Sequence, residues 1–383
     1  MIYRLLFLYF SIVHAELEMV QVLVRHGDRA PSFTYPLDEK SFDVNRHFPR
    51  GYSQLTKQGF DQAKEVGRFL RNRYEGLIDG FNRKETLIRS SDKDRCIETA
   101  MGITRTLFPD DFVPVHTFSH YKHDLLLKPN SVFCRRVEEI VNDETKELSA
   151  LVDKKYKDLF SYLSQKTGWE VDGSRISDVF NVLHRKYSNR VPQPEWVDYV
   201  LSNVTELKRQ FRSIQFNSDE KTKMRTGYLL GQITKVMIDR NGRKLIVYST
   251  HDATVTSLMY SLGISDHQLV PYTAALIVEL HRIDGKQFVK ILYRNSTTSP
   301  PREMRIPGCE ILCPMQKYMA FVSNRIVSGK EEHDILCQNH VATPVVSSLP
   351  HQILPEEDHL FSTLITVGSL SYFDLFSSLK MKN

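Results

Sequence analysis

The chain has no polybasic block, no internal repeat and no cysteine–histidine spacing of the zinc-binding kind. A net charge of +5 spread over 383 residues lacks the clustered excess of a nucleic-acid binder. The missing period excludes repeat architectures, and the missing ligand spacing excludes a zinc finger or ribbon. Cysteine is scarce: Cys96, Cys134, Cys309, Cys313 and Cys337. What remains is ordinary globular material, 41% hydrophobic and 25% charged. The length suits one large domain with an insertion, or two modest domains.

The first residues, "MIYRLLFLYFSIVHAELE", carry one early charge at Arg4 and then an apolar core from Leu5 to Val13. Val13 and Ala15 place small side chains two apart, so residues 1–15 read as a signal peptide cleaved after Ala15. The alternative is a short buried strand. Export places the protein outside the cell or in the lysosome and makes cysteine pairing an expectation. Cys309 and Cys313, in "PGCEILCP", could close a small ring; Cys134 and Cys337 are then natural long-range partners. Cys96 is left over as a buried thiol. "NVT" at Asn203 and "NST" at Asn295 are glycosylation sequons.

"MVQVLV" (19–24) reads as a central strand. In 55–74 the residues Leu55, Phe60, Ala63, Val66, Phe69 and Leu70 share one helical face, with Thr56 near its start. Residues 86–108 read as a short strand ending at Arg89, followed by a helix capped by Ser91 or Asp92. Residues 243–263 repeat the strand–turn–helix pattern. Segments 274–282 and 287–295 alternate like paired strands about an Asp284-Gly285 turn. Residues 135–240 are helical in pattern and read as an insertion (cap) domain, which leaves 16–134 and 241–340 as the catalytic domain. The expected fold is α/β: an open, mostly parallel sheet flanked by helices, with a smaller helical insertion domain. Residues 341–383 form a linker and an apolar tail. Residues 360–383 approach the length of a membrane span but contain Asp374 and many Ser and Thr. A packed or frayed helix is the expectation there, with a C-terminal membrane anchor as the alternative.

Residues 23–31, "LVRHGDRAP", end the first strand with two guanidinium groups around an imidazole. Like charges gathered at one point call for an anion. Arg25 and Arg29 offer forked donors suited to phosphate oxygens, and Arg89 at the second strand's end is a third candidate. His26 is a ligand or a nucleophile, because surrounding cations hold its pKa down. Gly27 leaves room for a phosphoryl group to approach the backbone. "STHDATV" (249–255) adds His251 as a donor and Asp252 as an acid for the leaving oxygen, given an acidic medium or a raised pKa. In an open α/β sheet these strand ends share one rim. Alone, each piece has a plain structural explanation: a salt bridge, a helix cap, a commonplace "HD". The five fixed residues of "RHGxRxP" arise by chance on the order of once in 10⁴ chains of this length.

With "VLVRHGDRAP", "GYSQLTKQGFDQAKEVGRFLRNRY", "IRSSDKDR", "VYSTHDATV", "VPYTAALIVEL", "YRN" and "PGCEILCP", the sequence resembles the histidine acid phosphatases of the prostatic and lysosomal type, within the wider histidine phosphatase superfamily. The resemblance spans roughly residues 19–340. It implies an acid phosphatase acting on small phosphomonoesters. His26 would form a phosphohistidine, Arg25, Arg29, Arg89 and His251 would clamp the phosphoryl group, and Asp252 would protonate the leaving alcohol. It implies neither a metal nor an organic cofactor, the pairs Cys309–Cys313 and Cys134–Cys337, and a homodimer formed through the α/β domain. A third disulfide of mammalian relatives is missing: the strand carries Ala274 and Ala275, and the insertion has no cysteine. Residues 32–50 and the insertion resemble the family least, so substrate choice stays open. Alternatives are a phytase-like or lysophosphatidate phosphatase, or a non-catalytic phosphate-binding ectodomain.

Overall fold

The strand around "MVQVLV" runs as β1 (Ala15–Arg25), and Met19 to Val24 are buried on both faces. Such a strand belongs in the middle of a covered sheet. The structure, a computed structural model, describes residues 15–39, 42–118, 123–297 and 299–339. On one side β1 pairs in parallel with β3 (Leu245–Thr250), which pairs in parallel with β2 (Thr86–Ser90). On the other it pairs antiparallel with β4 (Ala275–Ile283), and β4 with β5 (Lys286–Arg294). The short β6 (Arg302–Met304) and β7 (Leu312–Pro314) both pair with β5. The β4–β5 turn places Asp284 and Gly285 at φ 48° and 78°, the left-handed geometry that "DG" supplies in a tight hairpin.

Among the described residues the helices are α1 (Pro36–Glu39), α2 (Val44–His47), α3 (Lys57–Arg73), α4 (Asp94–Leu107), α5 (Arg135–Lys155), α6 (Lys157–Thr167), α7 (Ile176–Ser188), α8 (Trp196–Ile214), α9 (Asp219–Asp239), α10 (Asp252–Ser261), α11 (Met315–Val322) and α12 (Lys330–Leu336). Alternation sends Val20, Val22 and Val24 to one face of the sheet, where Ala63, Val66 and Leu70 of α3 and Ala100, Ile103 and Leu107 of α4 cover them. Met19 and Leu23 face α9 and α10, through Leu229, Ile233, Met237, Leu258 and Met259. Helices thus cover both faces, and the chain adopts the α/β fold. Its parallel part is β2–β3–β1; antiparallel strands extend it beyond β1.

Helices α5 to α8 build a separate apolar cluster around Val152, Leu163, Val179, Leu183, Val204 and Leu207, joined by Tyr35 from the loop after β1. α9 packs against the sheet, although it lies within 135–240. Thr56 caps α3, its hydroxyl accepting from Gly59 N at 3.0 Å. The cap foreseen at α4 differs. Lys93 holds the N-cap position without a side-chain capping bond, and neither Ser91 nor Asp92 caps the helix. Ser91 is engaged elsewhere, as described below.

Cys134–Cys337 joins the start of α5 to the end of α12, and Cys309–Cys313 closes the small loop. Cys96 is a buried free thiol. Asn203 and Asn295 are exposed. Among the described residues no helix is long and apolar enough to cross a membrane. The apolar tail at 360–383 and most of the signal segment lie outside the described residues.

Candidate active site

Register brings the site together. Arg25 of β1 lies opposite Thr250 of β3, and Ser90 of β2 opposite Ser249. The three parallel strands therefore end side by side. His26 follows β1 directly, Ser91 follows β2, and His251 and Asp252 follow β3 at the start of α10.

His26 is 3% exposed. Its Nδ1 lies 2.8 Å from the carbonyl oxygen of Gly27. A carbonyl only accepts, so Nδ1 carries the proton, and in the neutral ring Nε2 holds the free lone pair. Burial first, then the Arg95 and Arg25 guanidiniums, hold the pKa of His26 well below the usual imidazole range. The ring is therefore neutral and nucleophilic in mildly acidic solution. The loop that carries it is fixed by packing. A Cβ on Gly27 would collide with the Gly59 carbonyl of α3, so a side chain is excluded there by the backbone of the next helix. Room for an incoming phosphate is not the reason. Gly27 N donates to Thr99 Oγ1 of α4 at 3.0 Å. Buried Asp28 accepts from Thr56 Oγ1 at 2.7 Å and Ser188 Oγ at 3.1 Å, linking the loop to α3 and α7.

The imidazoles of His26 and His251 meet edge to face, 5.7 Å between centroids. His251 Nδ1 is 3.4 Å from Arg95 Nη2, a group that can only donate. Nδ1 is therefore the acceptor, and Nε2–H donates to Ser91 Oγ at 3.0 Å. Burial and then Arg95 hold the pKa of His251 well below its usual value. The Cys96 sulfur packs 3.7 Å from Nε2, and burial pushes its thiol up to about 12, so it stays a neutral contact.

Of the expected cations, Arg25 and Arg29 stand at the site. Arg25 Nη1 donates to the Val270 carbonyl at 2.5 Å, and its guanidinium lies 4.1 Å over the Tyr272 ring. Arg29 Nη1 is held by Ala30 O at 2.8 Å and Ser32 Oγ at 3.1 Å. Arg89 is a correction. Its Nη1 donates to Ser90 O at 2.6 Å, and its Nη2 lies 3.6 Å from Asp124. Its side chain braces the loops beside β2. The guanidinium beside the two histidines belongs to Arg95, on the first turn of α4. Both arginines lie in "IRSSDKDR". Only the turn between strand and helix decides which one reaches the site.

Asp252 stands at the expected place, but its pKa is not raised. Burial raises its pKa, but Arg212, Arg25 and Lys208 outweigh burial and hold it well below the usual carboxylate range. Arg212 Nη2 of α8 donates to Asp252 Oδ2 at 2.9 Å. Asp252 is thus ionised, and of the two conditions for an acid role a raised pKa is not met. A cavity of about 1080 Å³ is lined by Arg25, Arg29 and Asp252 at the strand ends and by residues of α7 and α8, among them Arg185, Lys208 and Arg212. The helical contributors carry no motif, because helix packing alone brings them to the strand ends.

Comparison with known proteins accords with this geometry. A family profile described as histidine phosphatase superfamily (branch 2) matches residues 16–154 and 119–294. Rat prostatic acid phosphatase is 31% identical over 357 residues, covering 86% of this chain and 91% of that protein. Bovine lysosomal acid phosphatase is 30% identical over 328 residues, covering 79% and 76%. Among solved structures, the apo form of the Hafnia alvei phytase superimposes with a TM-score of 0.66 at 15% identity, over 83% of this chain and 98% of that one, a likeness of fold. The chain belongs to the histidine phosphatase superfamily.

Proposed function

We propose that this protein is an acid phosphatase that hydrolyses phosphate monoesters through a phosphohistidine at His26. Its family membership makes it a phosphomonoester hydrolase. The observation that carries the covalent route is the tautomer of His26. A buried imidazole with its proton fixed on Nδ1 has Nε2 ready to attack phosphorus.

The substrate phosphate sits among Arg25, Arg29, Arg95 and His251. Their charge is preorganised, so the equatorial oxygens of the transferring phosphoryl group are stabilised as it moves. An anion placed between Arg95 and His251 raises the pKa of the imidazole. Nδ1 then gains a proton and donates it to the phosphate. Nε2 of His26 attacks phosphorus, and the bond to the leaving oxygen breaks. Asp252 gives that oxygen a proton. Water then attacks the phosphohistidine, the electron pair of the P–N bond returns to Nε2, and the water's proton returns to Asp252.

The low pKa of Asp252 bears on how it acquires its proton. The bound phosphate offsets the cations that hold the carboxyl down, and a monoanionic ester brings a proton with it. Activity in acid follows from the substrate's second ionisation near pH 6, with no need for a carboxyl protonated in the free enzyme. The proposal includes export through the secretory route to the medium or the lysosome, with glycans on Asn203 and Asn295. Two disulfides suit an oxidising compartment, and both asparagines are exposed. The test is hydrolysis of p-nitrophenyl phosphate near pH 5 by the wild type and His26→Ala, side by side. Turnover confined to the wild type supports the reading, whereas equal turnover in both excludes it.

A further inference from the structure

The transferring phosphate accounts for Arg25, Arg29, Arg95 and His251. It does not account for the cations on the other wall of the cavity. Arg185 of α7 is only 8% exposed, and its Nε has no hydrogen-bond partner. Its Nη1 reaches the Asn181 carbonyl over a long 3.4 Å. Lys208 of α8 lines the cavity with its ammonium 2.9 Å from Ser177 Oγ, and among the described residues it makes no ion pair. Arg212 stands one turn further along the same face of α8 and holds Asp252, while its own Nε is buried without a partner. Of the acids that line the cavity, Asp252 is held by Arg212 and the others are paired elsewhere or exposed. Glu206 is bound by Arg209 at 2.6 Å, Asp178 faces Arg175 at 3.8 Å, and Asp198 is exposed.

Among the described residues Arg185 is buried with no ion pair, and Asp252, already bound to Arg212, is the acid these cations share, so an anion in the cavity would offset the positive charge left over. The position of these three indicates what the anion belongs to. Asp252 protonates the leaving oxygen, so whatever lies beyond Asp252 is the leaving group, and Arg212 and Lys208 lie there. We propose that Arg185, Lys208 and Arg212 form a second anion site that holds a phosphate carried by the leaving group. The preferred substrates are then small molecules bearing two phosphates, one transferred to His26 and the other held against α7 and α8. The inference rests on the phosphatase reading and adds the substrate class. Burial and the neighbouring Arg212 bring the pKa of Lys208 down to about 7. A dianion beside it would restore its charge.

The test compares 1,3-propanediol bisphosphate with 1,3-propanediol monophosphate, which differ only in the second phosphate. The quantity read is the ratio of their kcat/KM values, in the wild type and in Lys208→Gln. A general loss of catalysis cancels in that ratio. The wild type is expected to favour the bisphosphate by about tenfold or more, and Lys208→Gln to lose about tenfold of that preference, the size of one charge-assisted hydrogen bond. Calorimetric binding of the same pair to the inactive His26→Ala protein, with and without Lys208→Gln, should show the same gap and the same loss. A wild-type ratio near one, or a preference that survives in Lys208→Gln, overturns the second site. If neither compound is turned over, the phosphatase reading fails, and the binding comparison still decides the second site.

Discussion

The wall of the cavity built on strand ends and the wall built on helices carry the same kind of charge but are held in place by different means. On the strand side, Arg25, His26, His251 and Asp252 are fixed within one or two residues of hydrogen-bonded strands in register. Their placement is local and rigid. On the helical side, Arg185, Lys208 and Arg212 depend on how α7 and α8 pack through Val179, Leu183, Val204 and Leu207. No short motif records that arrangement. In this account bond breaking belongs to the strand side, and the choice of leaving group belongs to the helical side.

The largest effect should come from the strand side. His26→Ala is expected to lower kcat on p-nitrophenyl phosphate by at least about 10⁴-fold, as removal of a nucleophile does, with the thermal midpoint little changed. Steady-state rates and a melting curve check this together. Next is the residue where the two walls meet. Asp252→Asn should cost about 10²- to 10⁴-fold on an alkyl phosphate and clearly less on a phenolic ester, whose leaving group needs little protonation. Equal losses on both esters would remove Asp252 from the acid role.

The two arginines of one short stretch should differ in the same way. Arg95→Gln should cost about 10²- to 10³-fold in kcat, the scale of one preorganised charge on a transition state. Arg89→Gln should lower stability more than turnover, because its guanidinium serves Asp124 and the Ser90 carbonyl. The reverse order of kinetic losses would restore Arg89 to the clamp. The smallest effect is on pH. His26 keeps its neutral form well below the usual imidazole range, so protonation of the nucleophile should not limit kcat/KM near pH 5. Above about pH 6 the monoanionic ester is lost, and kcat/KM should fall about tenfold per pH unit. A profile that stays flat to pH 8 would separate turnover from the substrate's proton.

Much of the strand side was legible in the sequence. "MVQVLV" has the apolar density of a doubly covered strand, and residues at the carboxyl ends of parallel strands must share a rim. Thr56 and the Asp284-Gly285 turn were readable for similarly local reasons. Three features escaped. Arg95 lies past a turn whose path no spacing rule fixes. The loss of the Ser91 cap follows from His251, 160 residues away, which takes its hydroxyl. The low pKa of Asp252 comes from Arg212 on another helix. Each depends on a tertiary contact, and a periodicity or a cap signature carries no information about such contacts.

The most direct test of the central claim is rapid-quench trapping of the wild-type enzyme during turnover of p-nitrophenyl phosphate, followed by peptide mapping of the phosphorylated site. The expected result is a burst of p-nitrophenol with an acid-labile, base-stable phosphoryl group on the peptide that carries His26, and none in His26→Ala. Turnover with no phosphorylated peptide, or with the phosphoryl group on another residue, would contradict it.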